Sequence, residues 1–229
     1  MDKLDFYVQS MTDLTDAIER FGVIPFFRNS IRGFSVEEHT DPSCWYTAGG
    51  NQWKVWDWKG PVIRETGCAY GKLFEKKAAF VSREWFPDLA NFRRNGYDFD
   101  ALYEDGLASR KDMDLYALID RNAPVLSGAL KAMGDYRKGG RTGFDTSVNR
   151  LQRQCYVVIS DFVYALDRYG RPYGWGSAEY STPEKLMGRE FTDRVYSCEP
   201  EESRRRLTEH LCRLLPWAEE KAVQKFLNS

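Results

Sequence analysis

FDTSVNRLQRQCYVVISDFVYAL, residues 144–166, is the stretch that decides the fold. Its first half has apolar residues at helical spacing, which predicts a helix at about 144–154. The core face of that helix consists of Phe144, Val148 and Leu151. Its second half enters an apolar-alternating hairpin at about 155–180. The stretch therefore places a helix directly before a β-hairpin.

Two more helical patterns precede this stretch, at about 110–121 and 126–133. Ser109 can cap the first of them, and Pro124 follows its end because proline cannot continue a helix. Three helices followed by a hairpin are the element order of a winged helix. In that module the third helix can lie in a groove of a nucleic acid while the hairpin tip touches the backbone. We therefore predict an α+β fold with a winged helix at 109–181.

The winged helix would divide the chain into three parts. Residues 1–108 are expected to form an N-terminal α+β lobe rich in tryptophan. Residues 182–229 are expected to form C-terminal helices packed on the core, with a helix from Pro200 to Leu214 and a last helix opened by Pro216.

Within the N-terminal lobe, the pattern predicts a first helix at 13–21, capped by Thr12. Residues 53–64 are expected to form a strand in which Trp56 and Trp58 point to one face. Residues 28–52 are expected to be mostly turn and loop, because they carry Asn, Ser, Gly, Asp and Pro.

The composition excludes a protein coated all over in positive charge. The formal net charge is −1, so a nucleic-acid footprint has to be a local basic patch. The five cysteines lack the short spacing of zinc or redox motifs, which favours free thiols in a reducing compartment. The first residues carry no secretion signal, and no apolar run approaches the length of a membrane span. We expect a cytoplasmic protein with no cofactor, no metal site and no membrane contact.

A local basic patch is predicted around the third helix. The apolar face of that helix leaves polar and basic side chains on its outer face, and a basic loop and the hairpin tip add further cations. These residue types can grip phosphates or read base edges of double-stranded DNA. The candidate nucleic-acid-binding residues are Arg137, Lys138, Arg141, Thr146, Asn149, Arg150, Arg153, Arg168 and Arg171. Protein docking and a purely structural role remain the alternatives.

Two further clusters are candidates for chemistry. Four tryptophans, at positions 45, 53, 56 and 58, lie within 14 residues. Trp45, Trp56 and Trp58 could wall a pocket for an unpaired base, or they could form a core layer. Glu38 and His39 follow one another in a loop-like stretch and could act as a general base and its neighbour. For Glu38 and His39 the alternative is an exposed loop or a helix cap.

Several short motifs are spread along nearly the whole chain. They are FSVEEH at 34–39, WKGP at 58–61, AYGK at 69–72, FVSREWFP at 80–87, YDFD at 97–100 and YGWG at 173–176. In these motifs the chain resembles the bacterial AlkZ-related family. The resemblance implies winged-helix architecture and a distant relation to DNA glycosylases that excise alkylated or crosslinked bases.

One feature of those glycosylases does not carry over. They use a glutamine-containing motif after the first helix, and the comparable stretch here, residues 23–39, contains no glutamine. Gln152 and Gln154 match the letters of the motif, but they lie on the predicted third helix. Residues two apart on a helix do not share a face, so the catalytic role is not assigned to them.

Two functions from different classes follow from the sequence, which defines no oligomeric state. The first is a DNA-binding protein related to base-excision enzymes, acting as a glycosylase-like hydrolase on damaged bases if the chemistry is kept. The alternative is a non-enzymatic winged-helix module that uses the same surface to hold a protein or a small ligand.

Overall fold

The computed structural model describes residues 3–45 and 54–229. This part of the chain is a mixed α/β protein with two small antiparallel sheets. Its helices are α1 (Met11–Phe21), α2 (Val36–His39), α3 (Pro42–Trp45), α4 (Lys54–Thr66), α5 (Phe86–Arg94), α6 (Phe99–Glu104), α7 (Arg110–Asn122), α8 (Ser127–Met133), α9 (Phe144–Arg153), α10 (Pro183–Met187), α11 (Arg189–Val195), α12 (Pro200–Leu214) and α13 (Glu220–Leu227). Its strands are β1 (Val23–Pro25), β2 (Ala69–Phe74), β3 (Lys77–Val81), β4 (Val125–Leu126), β5 (Val158–Leu166) and β6 (Pro172–Ser181).

The first sheet lies in the N-terminal half and has the strand order β1-β3-β2. Val81 is opposite Val23 on one side and Ala69 on the other, and all three are fully buried. Helix α1 packs near this sheet and begins earlier than its sequence pattern predicts. Its cap is Ser10, which accepts a hydrogen bond from the Asp13 backbone, so the expected cap at Thr12 is wrong. Ser10 and Asp13 form a capping box, in which two side-chain oxygens accept hydrogen bonds from backbone N–H groups that would otherwise lack a partner at the helix start.

The second sheet contains the predicted hairpin. The three predicted helices are observed as α7, α8 and α9, and the hairpin as β5 and β6. Sequence reasoning missed β4, which lies between α7 and α8 and pairs antiparallel with β6. The sheet order is therefore β4-β6-β5. A strand of two residues is too short to leave a periodic signal, so only its pairing partner reveals it.

The expected strand at 53–64 is wrong, because residues 54–66 form the helix α4. Trp56 and Trp58 suggested a strand face, but the buried aliphatic side chains Val55, Val62 and Ile63 belong to a helix packed on the core. Pro61 lies inside α4, although proline ordinarily kinks or ends a helix. Position 53, at the start of the expected strand, lies outside the described residues.

The C-terminal helices lie against the N-terminal half. Helix α12 has the predicted bounds and packs on α5, where Asn91 donates to the Ser203 hydroxyl and Ser203 donates to Asp88. The last helix begins at Glu220 instead of at Pro216. The C-terminal helices thereby hold α5 in place. Arg93 of α5 in turn donates to the backbone carbonyl of Arg153, at the end of α9.

A glycine sets the distance between α4 and the hairpin. A Cβ atom added to Gly60 would collide with the Asp161 carboxylate and lie 3.3 Å from the backbone nitrogen of Phe162. We expect Gly60→Ala to destabilise the protein by about 1–3 kcal/mol in urea unfolding, because overpacking outweighs the better helix propensity of alanine. Gly128→Ala is the matched control, since a Cβ there meets no atom within 4 Å. That change should stabilise by up to about 1 kcal/mol. A stabilisation of similar size in both variants would contradict the close approach.

Candidate nucleic-acid interface

Helix α9 has one buried face and one solvent-facing face, as its sequence pattern predicts. Phe144, Val148 and Leu151 are buried in the core. Thr146 and Arg153 are exposed, and Asn149 and Arg150 are half-buried. The outer face therefore presents hydroxyl, amide and guanidinium groups, which are donors suited to phosphate oxygens.

The C-terminal end of α9 is fixed beside strand β2. The side-chain oxygen of the buried Gln152 accepts a hydrogen bond from the backbone nitrogen of Lys72 at 3.0 Å, and its Nε2 donates to the carbonyl of Val148 at 3.2 Å. Gly71 makes this approach possible, since a Cβ atom there would lie 2.8 Å from the Gln152 oxygen. The helix is thus open along its outer face and covered at its last turn.

A groove of about 290 Å³ lies between the outer face of α9 and the β2–β3 segment. It is lined by Lys72, Lys76, Thr146, Asn149, Arg150 and Arg153. We call this feature the α9 groove. Four predicted site residues meet here, and two lysines from the N-terminal half join them. Sequence reasoning missed both lysines, because no local pattern indicates that β2 lies beside α9.

The cations of the α9 groove differ in their partners. Arg150 pairs with Asp112, whose side chain is 2% exposed and also accepts from the Ser109 hydroxyl at 2.7 Å. Within the part of the chain that the structure describes, Lys72, Lys76 and Arg153 form no ion pair. Arg150 is therefore partly neutralised, and three side chains carry the available positive charge. An anion in this groove meets donors whose charge is not already compensated.

The other candidate cations lie outside the α9 groove. Arg141 pairs with Asp114 at 3.0 Å and lines a second, more open groove along α7. Arg137 and Lys138 are exposed in the loop that leads to α9. Arg168 and Arg171 are exposed at the hairpin tip, over the ring of Tyr169. The structure thus brings one part of the predicted basic surface together and leaves the rest as separate groups.

Glu38 and His39 lie on a short helix and not in the loop that their sequence predicts. Ser35 caps this helix, α2, and Glu38 accepts hydrogen bonds from the Gly33 backbone nitrogen at 3.0 Å and the Ser35 hydroxyl at 2.7 Å. His39 is 2% exposed, with Nδ1 2.8 Å from the Ser35 carbonyl and its ring stacked on Phe6. Neither residue lines the α9 groove. These contacts give both side chains a role in holding α2.

Trp45 and Trp56 belong to an aromatic cluster in the N-terminal half. The ring of Trp56 lies 5.4 Å from Phe26 and 5.9 Å from Trp45, measured between ring centroids. The ring of Trp175, exposed on β6, lies 5.9 Å from Trp56 on the other side. Trp58 is half-buried and packs at the edge of the core. Ring contacts therefore run from the core of the N-terminal half to the surface of the hairpin.

Lys59 is enclosed by this aromatic cluster. Its Nζ lies 4.2 Å from the ring centre of Phe162 and 4.5 Å from that of Trp56. Burial lowers the pKa of Lys59 to about 8, although the neighbouring Asp57 carboxylate opposes this effect. Sequence analysis did not single out Lys59. The sequence shows Lys59 only as part of the WKGP motif at 58–61, which does not distinguish a buried amine from a surface one.

Among the residues that the structure describes, no group of three or more His, Cys, Asp or Glu side chains is placed to hold a metal ion. Among the helices described, none combines the length and the apolar character needed to cross a bilayer.

The fold and the groove define a mixed α/β protein with a basic cleft beside a surface helix. A family model described as AlkZ related matches residues 8–228, nearly the whole chain. The chain belongs to the AlkZ-related family. Searches of curated proteins and of solved structures found no match.

Proposed function

We propose that this protein binds nucleic acid, with double-stranded DNA as its ligand, through the α9 groove. The observation that carries the proposal is the set of three cations, Lys72, Lys76 and Arg153, that line one groove and form no ion pair in the described chain. A phosphate backbone is the polyanion that such a groove suits. Membership of the AlkZ-related family supports a relation to DNA repair.

The proposal includes a winged helix at 109–181. Its support is the element order α7-β4-α8-α9-β5-β6 together with the sheet order β4-β6-β5. In this arrangement α9 takes the position of the recognition helix and the β5–β6 hairpin that of the wing. Residues 1–108 and 182–229 would then form a lobe and a tail that pack together through α5 and α12.

The geometry of the α9 groove favours contact with phosphates over full insertion of helix α9 into the major groove of DNA. Strand β2 covers the last turn of α9 through Gln152, so only the earlier turns can approach bases. Thr146 and Asn149 lie on those turns and line the groove. We assign phosphate contacts to Lys72, Lys76 and Arg153, and contacts to base edges to Thr146 and Asn149. Arg137, Lys138, Arg168 and Arg171 are assigned to the flanking backbone.

Charge reversal tests the proposal. Lys72→Glu combined with Arg153→Glu should lower the affinity for a random-sequence duplex by on the order of 10–100-fold at moderate salt, since two phosphate contacts become repulsive. Fluorescence anisotropy with a labelled duplex measures the change. Arg150 is left intact, because its removal would leave the buried Asp112 carboxylate without its cation and would lower stability as well.

The matched control changes the net charge by the same amount elsewhere. Arg189→Glu combined with Arg213→Glu alters two exposed cations that do not line the α9 groove and form no described ion pair. The duplex affinity of this variant should stay within about threefold of the wild-type value. Only the long-range electrostatic contribution changes, and salt screens it. Equal losses in both double variants would show an unspecific charge effect and would overturn the assignment of the groove.

A second candidate function is the docking of a protein through the hairpin. The β5–β6 hairpin exposes apolar and aromatic side chains to solvent: Val163, Leu166, Tyr169, Tyr173 and Trp175. Such a row is typical of an interaction surface. Wild-type protein that fails to bind any duplex at low salt would favour this function over the first.

A further inference from the structure

The amine of Lys59 lies in a cage of aromatic rings. The ring centres of Phe162 and Trp56 are 4.2 and 4.5 Å from Nζ, and those of Phe26 and Tyr70 are 5.7 and 6.0 Å away. The residue is 7% exposed. Elements from three parts of the chain build the cage, namely α4, the first sheet and the hairpin strand β5.

No carboxylate compensates this amine directly. Lys59 forms no ion pair with any residue that the structure describes. Asp57, on the same helix, attracts the amine electrostatically and also accepts a hydrogen bond from the Tyr164 hydroxyl of β5 at 2.7 Å. The facing tyrosine of β2, Tyr70, has its own pKa raised by burial and is neutral. A protonated Lys59 is therefore held by ring faces and by the attraction of the Asp57 carboxylate, and burial favours the neutral amine.

A neutral, desolvated amine is a nucleophile for carbonyl carbons. A lysine needed only for packing gains nothing from burial without a counter-ion, since an apolar side chain of the same length would fill the space at lower cost. Buried ionisable groups with a perturbed pKa are concentrated at functional sites. Lys59 is a buried group of this kind, which indicates a chemical role.

Ring contacts also connect the surface of the hairpin to the cage. Trp175 is exposed on the hairpin and contacts Trp56, which is one wall of the cage. Aromatic faces stack on unpaired bases regardless of sequence. A displaced nucleotide could therefore stack on Trp175, with its sugar directed toward the cage.

We infer that Lys59 forms a Schiff base with the ring-opened aldehyde of an abasic sugar in DNA, an inference that rests on the proposed nucleic-acid function. The Nζ lone pair attacks the aldehyde carbon, and the proton lost from nitrogen goes to the carbonyl oxygen. The resulting carbinolamine releases that oxygen as water and leaves an imine. Amine plus aldehyde thus gives imine plus water, and hydrolysis reverses the step.

Borohydride trapping tests this inference. Full-length protein is mixed with a duplex that contains one abasic site, near the pKa of about 8, and sodium borohydride reduces any imine to a stable amine. We expect a covalent protein–DNA adduct that peptide mass spectrometry locates at Lys59. Lys59→Arg should lower adduct formation at least about tenfold, because a guanidinium does not form the imine. Lys221→Arg, an exposed lysine of α13, is the control and should trap like the wild type.

Duplex binding measured by anisotropy on the same samples separates the outcomes. Binding without an adduct, or an adduct that Lys59→Arg leaves unchanged, overturns the Schiff-base inference alone. No binding by the wild type overturns the proposed function and this inference with it. Lys59→Met serves as a second variant if the larger arginine does not fit the cage, and it should also bind the duplex without trapping.

Discussion

Replacing Arg94 with methionine is expected to destabilise the protein by about 3–5 kcal/mol. The side chain is 3% exposed, and its Nη1 donates to Glu184 at 2.7 Å and to the Tyr196 hydroxyl at 3.0 Å. Its Nη2 donates to the backbone carbonyl of Cys155 at 2.7 Å. One guanidinium thus joins α5 to the C-terminal helices and to the segment between α9 and β5. Its loss leaves a carboxylate and a carbonyl without their donor.

Urea unfolding monitored by tryptophan fluorescence measures this effect. Arg205→Met is the matched control, because Arg205 also pairs with two carboxylates but lies at the surface of α12. That change should cost less than about 1 kcal/mol. Adding Glu184→Leu to Arg94→Met should recover part of the loss, since it removes the orphaned carboxylate. A loss below about 1 kcal/mol for Arg94→Met alone would contradict the role of this network.

Replacing Lys59 with methionine is expected to stabilise the protein by about 1–2 kcal/mol near pH 7. Lowering the pKa of Lys59 from 10.5 to about 8 corresponds to a cost of about 3 kcal/mol for the charged form. Contacts of the amine with the rings of Trp56 and Phe162 offset about 1–2 kcal/mol of that cost. Methionine fills similar space without carrying a charge into the cage.

The gain should depend on pH in a defined direction. Below about pH 8 the lysine is protonated in both the folded and the unfolded state, and folding bears the full cost of burying the charge. Between about pH 8 and 10.5 the unfolded state binds more protons than the folded state, so wild-type stability rises with pH relative to the variant. Unfolding at about pH 7 and about pH 9.5 should show that the advantage of Lys59→Met shrinks by more than half. An equal advantage at both values would contradict the burial of a charged amine.

The sequence predicts the elements that have strong local periodicity. The apolar faces of α7 and α9 and the alternation before the hairpin are enough to locate them, because each depends on residues a few positions apart. The helix α4 is not predicted, because the spacing of Trp56 and Trp58 fits one face of a strand and because proline, here Pro61, is unfavourable inside a helix. In the folded chain, burial of Val55, Val62 and Ile63 outweighs both signals.

The sequence predicts only one of the two sides of the candidate site. The α9 side of the groove follows from helix geometry, but Lys72 lies 80 residues away from Gln152, which holds its strand in place. No periodicity reports a contact over that separation. The sequence leaves the capping role of Glu38 only as an alternative, because an acidic residue three positions after a serine fits a helix cap as well as a general base. Lys59 is missed because burial of an amine depends on elements from three parts of the chain.

The salt dependence of duplex binding tests the central claim most directly. Each phosphate contact contributes about 0.9 to the slope of log affinity against log salt, so Lys72, Lys76 and Arg153 together contribute about −2.7, to which the flanking cations add. Affinity should then fall at least roughly 40-fold between about 50 and about 200 mM salt. We expect a slope of about −2.7 or steeper for the wild type, and a slope shallower by about 1.8 or more for Lys72→Glu combined with Arg153→Glu. A wild-type slope near zero, or a slope that the double variant leaves unchanged, would contradict the claim.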